Sequence, residues 1–339
     1  MLSLKYNQLN SAFEYPFVTH KGAKTHQPSL VVSLGLGPMV GYGEAPAISY
    51  YNVTVEGMTE LLLSKKQMIE RYAMIDPQRF WHFLHHLIPG QHFLTAALDI
   101  AGWDLFGKMR RQPVYKLLGY EKGALPVTDY TIGIAPVEEM MAKMQQHPWP
   151  IYKIKVGQPD DIGIIEALRQ HTTADFRIDA NEGWNFDDAK KLLPELKKLG
   201  VTLIEQPLQK TEWDAMKELL TLTDIPLIAD ESCVTEDDVK KCFGSFTGIN
   251  IKLTKCGGLT PATRMIKEAR TLGMKVMVGS MNETSIGTAA IAHLLPAVDY
   301  VDADGPLLLK EDAATGLTYP DYIPTTLEGR TGLGIVAKL

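Results

Sequence analysis

From about residue 123 onward, short apolar runs alternate with longer stretches in which apolar residues recur every three to four positions. The short runs predict strands, and longer stretches such as DDAKKLLPELKKLG (187–200) and TPATRMIKEARTLG (260–273) predict helices. Eight candidate strands follow in order: DYTIGI, YKIKVG, FRIDAN, TLIEQP, PLIADE, INIKLTK, KVMVGS and YVDADGP. Strands that alternate with helices in this way predict a parallel sheet covered by helices.

Polar residues stand at or near the end of almost every one of these strands. Lys153, Asp179, Glu205, Asp230 and Lys252 follow one another at intervals of 22 to 26 residues. A closed barrel gathers the carboxyl ends of all its strands on one face, whereas a doubly wound open sheet binds its ligand at one switch point. The pattern therefore favours an α/β fold in which the sheet closes into a TIM-type (β/α) barrel.

The first third of the chain has a different pattern. SLVVSLGL (29–36) and VGYGEAP (40–46) predict antiparallel strands around a Gly-Pro turn, and FLTAALDIAGWDLFGKMRR (93–111) predicts an amphipathic helix. Residues 1–122 are thus predicted to form an α+β domain and residues 123–318 the barrel. Residues 319–339 are expected to return to the first domain.

Composition argues against several classes of partner and location. The net charge is −6, with 34 Lys and Arg against 40 Asp and Glu, and no basic patch suggests nucleic acid. No run of 18 apolar residues predicts a membrane span, and the N-terminus lacks the pattern of a signal peptide. The three cysteines form an odd, unpatterned set typical of reduced thiols, which favours the cytoplasm.

Three carboxylates end three consecutive predicted strands, namely Asp179, Glu205 and Asp230. Neighbouring strands lie about 4.8 Å apart, so these side chains can converge, and without a cation they would repel one another. A set of oxygen ligands favours Mg²⁺ or Mn²⁺ over zinc. The alternative is that each acid caps the helix after its strand, but three acids at a matched interval favour the metal site.

Two lysines lie on the strands before and after this trio, Lys155 and Lys252. Lys153 shares a face with Lys155, and a neighbouring cation lowers the pKa of a lysine toward the range in which it can act as a base. Two bases on opposite sides of a metal-bound carbon suggest racemisation or epimerisation. In the alternative interpretation, the lysines only neutralise the carboxylates in a structural network.

The motifs together resemble those of the muconate-lactonising-enzyme-like subgroup of the enolase superfamily, over nearly the whole chain. They are K-I-K (153–155), D-A-N (179–181), E-Q-P (205–207), A-D-E-S (229–232) and N-I-K-L-T-K-C-G-G (250–258). The resemblance implies a modified (β/α)₇β barrel behind an N-terminal α+β capping domain. It also implies one Mg²⁺ per subunit on Asp179, Glu205 and Asp230, and Lys155 and Lys252 as the acid/base pair.

Within the subgroup, D-A-D-G-P (302–306) is similar to a motif of dipeptide epimerases. The resemblance implies that Asp302 and Asp304 bind the α-ammonium group of a dipeptide, while Lys153 and the metal bind its carboxylate. The α-proton of the C-terminal residue is then exchanged through an enediolate. Three further positions are implied to contact the substrate: Thr128, Ser280 and Asn282.

The capping loop FVTHKGAKTHQ (17–27) differs from that of Ala-Glu epimerases, where the family uses an arginine for the acidic side chain. Gly22 stands at that position, and Lys21 and Lys24 lie nearby as point charges. Either a glutamate or a small or hydrophobic side chain therefore fits. o-Succinylbenzoate synthesis, N-acylamino acid racemisation and a non-catalytic metal-binding scaffold are the alternatives, and association into a homo-oligomer is compatible with this class of barrel.

Overall fold

The computed structural model describes residues 1–121, 123–326 and 329–339, so the predicted domain boundary at residue 122 and residues 327–328 of the predicted return segment lie outside the described residues. The N-terminal part is a three-stranded antiparallel sheet with helices packed on it. Its elements are β1 (Ser3–Thr19), β2 (Gly22–Leu36), β3 (Met39–Pro46), a 3₁₀ turn (Ser49–Tyr51), α1 (Val55–Glu70), α2 (Pro77–Leu87), α3 (His92–Arg110) and α4 (Val114–Leu117).

The second part is an eight-stranded parallel sheet whose strands follow one another in chain order. Its strands are β4 (Tyr130–Ile132), β5 (Ile151–Lys155), β6 (Asp175–Asp179), β7 (Val201–Glu205), β8 (Leu227–Ala229), β9 (Gly248–Lys252), β10 (Lys275–Gly279) and β11 (Tyr300–Asp302). The helices between them are α5 (Val137–Gln146), α6 (Asp161–Arg169), α7 (Phe186–Lys198), α8 (Trp213–Thr221), α9 (Glu236–Cys242), α10 (Leu253–Cys256), α11 (Leu259–Thr271) and α12 (Ser285–Ala292).

The sheet closes where its first and last strands meet. Thr128, just before β4, forms a parallel bridge with Val301 of β11, and its hydroxyl accepts a hydrogen bond from the Ala303 amide at 2.8 Å. Eight strands with a helical connection after each of the first seven form a (β/α)₇β barrel. The predicted fold class is thereby confirmed.

Four short strands follow the barrel, and the chain then returns to the N-terminal part. They are β12 (Ala314–Thr315), β13 (Leu317–Thr318), β14 (Thr325–Thr326) and β15 (Val336–Ala337). 3₁₀ turns lie before β11, at Leu295–Ala297, and after it, at Gly305–Leu308 and Pro320–Tyr322. Gly332 donates to the Gln112 carbonyl and accepts from the Val114 amide, both at 3.0 Å. Within the described ranges, no helix is both long enough and apolar enough to cross a membrane.

Strand β2 contributes to two hydrophobic cores because successive side chains of a strand point to opposite faces. Leu30, Val32 and Leu34 pack with the helices of the N-terminal part. Val31 packs on the other side, in the large cluster that lies between the barrel strands and the helices around them. The N-terminal sheet therefore lies between its own helices and the barrel, and this arrangement holds the β1–β2 hairpin over the barrel.

The predicted helix forms as α3, but it is buried on nearly all sides. The prediction that it is amphipathic, with a polar face toward solvent, is therefore wrong. The polar residue Asp99 is buried and accepts hydrogen bonds from the Thr260 amide at 2.9 Å and the Thr260 hydroxyl at 2.7 Å. Asp104 is buried as well and accepts from the Leu333 amide at 2.8 Å. These two acids therefore join α3 to the barrel and to the C-terminal segment.

A third buried carboxylate joins the two parts at the start of α12. Glu44 of β3 accepts hydrogen bonds from the Thr284 amide, the Thr284 hydroxyl and the Gly287 amide. The first amides of a helix lack partners within the helix, so an acid from outside satisfies them. Burial raises the pKa of Glu44, while its hydrogen bonds oppose that rise.

Gly41 and Gly43 of β3 allow α3 to approach this strand closely, because a Cβ atom on either would meet the backbone of α3. A Cβ atom on Gly43 would lie 2.0 Å from the Ala97 carbonyl oxygen and 2.8 Å from the Ala101 amide nitrogen. We expect Gly43→Ala to lower the free energy of unfolding by about 1–3 kcal/mol, because backbone atoms must separate. Urea denaturation measures the change, and Gly123→Ala is the control because a Cβ there meets nothing within 4 Å. Equal unfolding midpoints for the two variants would contradict this account of the packing.

Candidate active site

The polar residues at the strand ends lie in register on neighbouring strands. Lys155 of β5 is paired with Asp179 of β6, which is paired with Glu205 of β7. On the other side of the barrel, Gly279 of β10 is paired with both Lys252 of β9 and Asp302 of β11. Because parallel strands end on the same face of a barrel, these side chains surround one space.

Lys153 lies at the centre of this ring and contacts three carboxylates. Its Nζ atom is 3.0 Å from Asp179 Oδ2, 2.8 Å from Glu205 Oε2 and 2.7 Å from Asp302 Oδ2. The residue is only 1% exposed. Burial lowers the pKa of Lys153, but the three carboxylates together raise it well above its ordinary value. Lys153 is therefore a fixed positive charge at the base of the site.

The two predicted bases lie on strands four positions apart in the barrel, so they face each other across it. Lys155 donates to Asp179 Oδ2 at 2.6 Å, and Lys252 Nζ lies 2.9 Å from Asp230 Oδ2. Burial lowers the pKa of Lys252, but Asp230 leads the carboxylates that raise it to a net value above its ordinary one. Lys255 donates a hydrogen bond to the other carboxylate oxygen of Asp230, with Nζ 2.5 Å from Oδ1.

The three predicted metal ligands are buried at the ends of neighbouring strands. Across the described residues, no three His, Cys, Asp or Glu side chains already have the close spacing of a metal-bound set, and lysine ammonium groups contact Asp179, Glu205 and Asp230. Glu205 Oε2 is nevertheless buried and forms no hydrogen bond within the described ranges, although Lys153 Nζ lies 2.8 Å from it as an ion pair. Burial, followed by the charge of Asp179, raises the pKa of Glu205 to about 7. A donor set of three crowded carboxylates fits a hard divalent cation.

A cavity of about 250 Å³ lies above this ring. Five of the seven predicted substrate-binding residues line it together with Lys155 and Lys252; they are Lys24, Lys153, Ser280, Asn282 and Asp302. The N-terminal part supplies the roof of the cavity, which includes Phe17, Lys21, Gly22, Lys24, Ile48, Tyr50 and Tyr51. The barrel thus provides the charged floor, and the capping domain provides a largely apolar cover.

Two predicted substrate-binding residues lie behind the lining of the cavity. Asp304 is 1% exposed and accepts a hydrogen bond from the Thr131 amide at 2.6 Å. Burial, followed by the charge of Asp302, raises the pKa of Asp304 to about 7. The hydroxyl of Thr128 bonds the Ala303 amide, where the barrel closes. Of the predicted Asp-x-Asp pair, Asp302 lines the cavity, whereas Asp304 is bonded to Thr131, another residue of the lining.

The cations of the capping loop have different surroundings. Gly22 has φ +134°, a backbone conformation that side chains with a Cβ rarely adopt, so the hairpin turn itself favours glycine here. Lys21 forms ion pairs with Glu182, at 2.9 Å, and with Glu231. Lys24 donates to Gln27 Oε1 at 2.5 Å and lies over the Phe17 ring, 5.3 Å from its centroid. Burial, followed by the charge of Lys155, lowers the pKa of Lys24 to about 8.

Sequence reasoning missed several residues of the site. Arg177 projects inside the barrel two residues before Asp179, where it donates to Asp129 Oδ2 at 2.8 Å. Glu182 directly follows the D-A-N motif, Glu231 is the third residue of the A-D-E-S motif, and both are buried. The period of two along β6 pointed to Arg177, but no sequence pattern pairs the two glutamates with Lys21.

Comparisons with known proteins agree with this architecture. Residues 3–119 match the family described as Mandelate racemase / muconate lactonizing enzyme, N-terminal domain, and residues 136–336 match the family Enolase C-terminal domain-like. An L-Ala-D/L-amino acid epimerase of Flavobacterium johnsoniae is 46% identical over 322 residues, which cover 95% of this chain and 96% of that protein. An L-Ala-D/L-amino acid epimerase of a Maribacter species is 47% identical, covering 93% of each protein.

Among solved structures, the dipeptide epimerase of Methylococcus capsulatus complexed with Mg and the dipeptide L-Arg-D-Lys superimposes with a TM-score of 0.93. It is 28% identical, and the match covers 99% of each chain. The resemblance seen in the sequence motifs is thus confirmed over both domains. This chain belongs to the enolase superfamily, in its mandelate racemase and muconate lactonizing enzyme family.

Proposed function

We propose that this isomerase is a Mg²⁺-dependent dipeptide epimerase that inverts the α-carbon of the C-terminal residue. The observation that carries the proposal is the placement of Lys155 and Lys252, two buried lysines that line one cavity from opposite sides of the barrel. The relatives in Flavobacterium johnsoniae and Maribacter, named as L-Ala-D/L-amino acid epimerases, support the same reaction.

The proposed metal ligands are Asp179, Glu205 and Asp230, with one ion per subunit. Two observations support this assignment. Glu205 has a buried carboxylate oxygen that forms no hydrogen bond among the described residues, and the Methylococcus capsulatus structure contains Mg. When bound there, Mg²⁺ would stabilise negative charge developing on the substrate carboxylate and would weaken the hold of Asp179 and Asp230 on the two lysines.

The chain's own residues would then move the proton. One of Lys155 and Lys252 is neutral and takes the α-proton, and the other is charged and returns a proton to the opposite face. Lys153 remains charged below them and attracts the substrate carboxylate. This proton exchange requires no water molecule, and the roof of the cavity limits the access of water to the reacting carbon.

The substrate's ammonium group is proposed to bind near Asp302. This carboxylate lines the cavity on the strand next to Ser280 and is held by Lys153 at 2.7 Å. Asp304 adds negative charge beneath it, and Thr128 fixes the chain between them through the Ala303 amide. Ser280 and Asn282 are proposed to contact the peptide, since both line the same wall.

The C-terminal side chain is proposed to lie beneath the capping loop. The roof there combines apolar surfaces of Phe17, Ile48 and Tyr51 with one cation, Lys24. Among the described residues, Lys24 has no carboxylate partner, whereas Lys21 has two. The pocket is therefore suited to hydrophobic side chains and can also accept an acidic one through Lys24.

Removal of either base gives a stereochemical prediction. We expect Lys155→Ala and Lys252→Ala each to reduce epimerisation by about 10²- to 10⁴-fold, because one proton transfer loses its catalyst. Each variant should still exchange the α-proton of the one stereoisomer that faces the remaining lysine. Mass spectrometry of L-Ala-L-Phe and L-Ala-D-Phe incubated in D₂O with Mg²⁺ measures this exchange. Lys217→Ala, an exposed helical lysine, is the control. Wild-type turnover in either base variant would refute the two-base reaction.

Asp302 distinguishes dipeptides from N-blocked substrates. We expect Asp302→Asn to lower kcat/KM for unblocked dipeptides by about 10- to 100-fold, because a charge-assisted hydrogen bond to the ammonium group is lost. N-acetylated dipeptides should be poor substrates of both forms, and the exposed Asp187→Asn is the control. Equal activity of the wild type on blocked and unblocked substrates would favour N-acylamino acid racemisation instead.

Lys24 gives the side-chain preference a pH dependence. A lysine with a pKa of about 8 is charged at pH 7 and loses its charge as the pH rises through that value. We expect the ratio of kcat/KM for L-Ala-L-Glu to that for L-Ala-L-Met to fall several-fold between pH 7 and pH 9. In Lys24→Met the ratio should be low and constant across this range. A ratio in the wild type that does not change with pH would remove Lys24 from side-chain recognition.

A further inference from the structure

The tip of the β1–β2 hairpin, residues 17–24, lies across several loops at the carboxyl end of the barrel. Val18 accepts a hydrogen bond from the Ile134 amide after β4 at 3.0 Å. The His20 ring lies 3.3 Å from the Gly157 carbonyl oxygen after β5. A Cβ atom on Gly157 would come within 3.0 Å of the His20 side chain, so the loop leaves room for the hairpin tip.

Lys21 is the charged centre of this contact. Its Nζ atom lies 2.9 Å from Glu182 Oε2 after β6, pairs also with Glu231 after β8, and lies 3.7 Å from the centroid of the Tyr50 ring. The side chains of Glu182 and Glu231 are only 4% and 5% exposed. The Lys21 cluster, defined as Lys21, Tyr50, Glu182 and Glu231, thus joins two roof segments to two barrel loops.

The cluster is further held from the barrel side. Glu182 accepts a hydrogen bond from the Tyr50 hydroxyl at 2.8 Å and from the Lys210 amide, after β7, at 2.9 Å. A buried carboxylate without a cation is costly, and two such carboxylates close together repel each other. Lys21 therefore does more than add a contact, because without it Glu182 and Glu231 lose the charge that lets them lie close together.

We propose that Lys21 is a positioning residue whose ammonium group holds the hairpin tip and the Tyr50 turn closed over the cavity. Its role rests on the proposed function only in that the covered cavity binds the substrate; the closure itself is a property of the protein alone. Lys21 bonded in this way cannot bind the substrate's side chain, which leaves that position to Lys24. Release of Lys21 separates Phe17 and Lys24 from the floor and opens the route for substrate and product.

Hydrogen exchange followed by mass spectrometry on the full chain, without substrate, tests the closure. In Lys21→Met we expect the amides of residues 17–24 to exchange at least 10-fold faster than in the wild type, with the barrel strands unchanged. Tyr50→Phe, which removes the hydrogen bonds of the hydroxyl with Glu182 and Lys210 and keeps the ring, should give a smaller increase in the same segment. Lys5→Met, an exposed lysine of the same strand β1, should change nothing.

Unchanged exchange of residues 17–24 in Lys21→Met would overturn the proposal, because the Val18 and His20 contacts would then suffice. Faster exchange spread over the barrel strands would also overturn it, since Lys21 would then support the fold as a whole. Lys21→Arg should restore protection, because a guanidinium can reach both glutamates. None of these outcomes depends on the substrate, so they are separate from a failure of the epimerase assignment.

Kinetics on L-Ala-L-Phe then connect closure to catalysis. We expect Lys21→Met to raise KM at least 10-fold with a smaller change in kcat, because the roof contacts bind substrate whereas the two lysines transfer the proton. Lys21→Arg should return KM toward the wild-type value. A loss confined to kcat would overturn the positioning role and place Lys21 with the reacting groups.

Discussion

The charge balance around Lys153 is the constraint on which the rest of the site depends. One buried ammonium group contacts Asp179, Glu205 and Asp302, which come from three different strands. None of these groups is stable at such depth alone, because an unpaired buried charge is costly. The barrel must therefore bring all of them to the same point. The strand register that does so also brings Lys155 and Lys252 to opposite walls of the cavity.

The capping domain is joined to this centre by buried carboxylates rather than by apolar contact alone. Glu44 accepts a hydrogen bond from the Thr284 amide at the start of α12, and Asp99 accepts one from the Thr260 amide at the start of α11. Such bonds fix direction as well as distance, so the domain cannot slide on the barrel without leaving acids unpaired. These bonds position the N-terminal sheet, from which the β1–β2 hairpin extends over the cavity, and Lys21 positions the tip of that hairpin.

The sequence predicted much of the barrel because its information is local and repeated. Each strand is an apolar run followed by a polar residue, and the repeat predicts both the topology and the ring of strand ends. The same reasoning failed for α3, because a polar face was expected on a helix whose Asp99 and Asp104 are buried against the barrel and the C-terminal segment. Nor did it predict that the Asp304 carboxylate accepts a hydrogen bond from the Thr131 amide, because that contact joins residues 173 positions apart in the chain.

The sequence by itself determined which residues stand at the strand ends, because periodicity of hydrophobic residues is written in the chain. It also determined that Gly22 cannot serve as a charged contact, whatever the fold. Only the tertiary structure decided which of the two nearby lysines is available to a substrate. Lys21 and Lys24 are close in sequence, but Glu182 and Glu231, more than 150 residues away, neutralise only Lys21. Partners of a buried charge are chosen by distance in space, and no local pattern in the sequence records that distance.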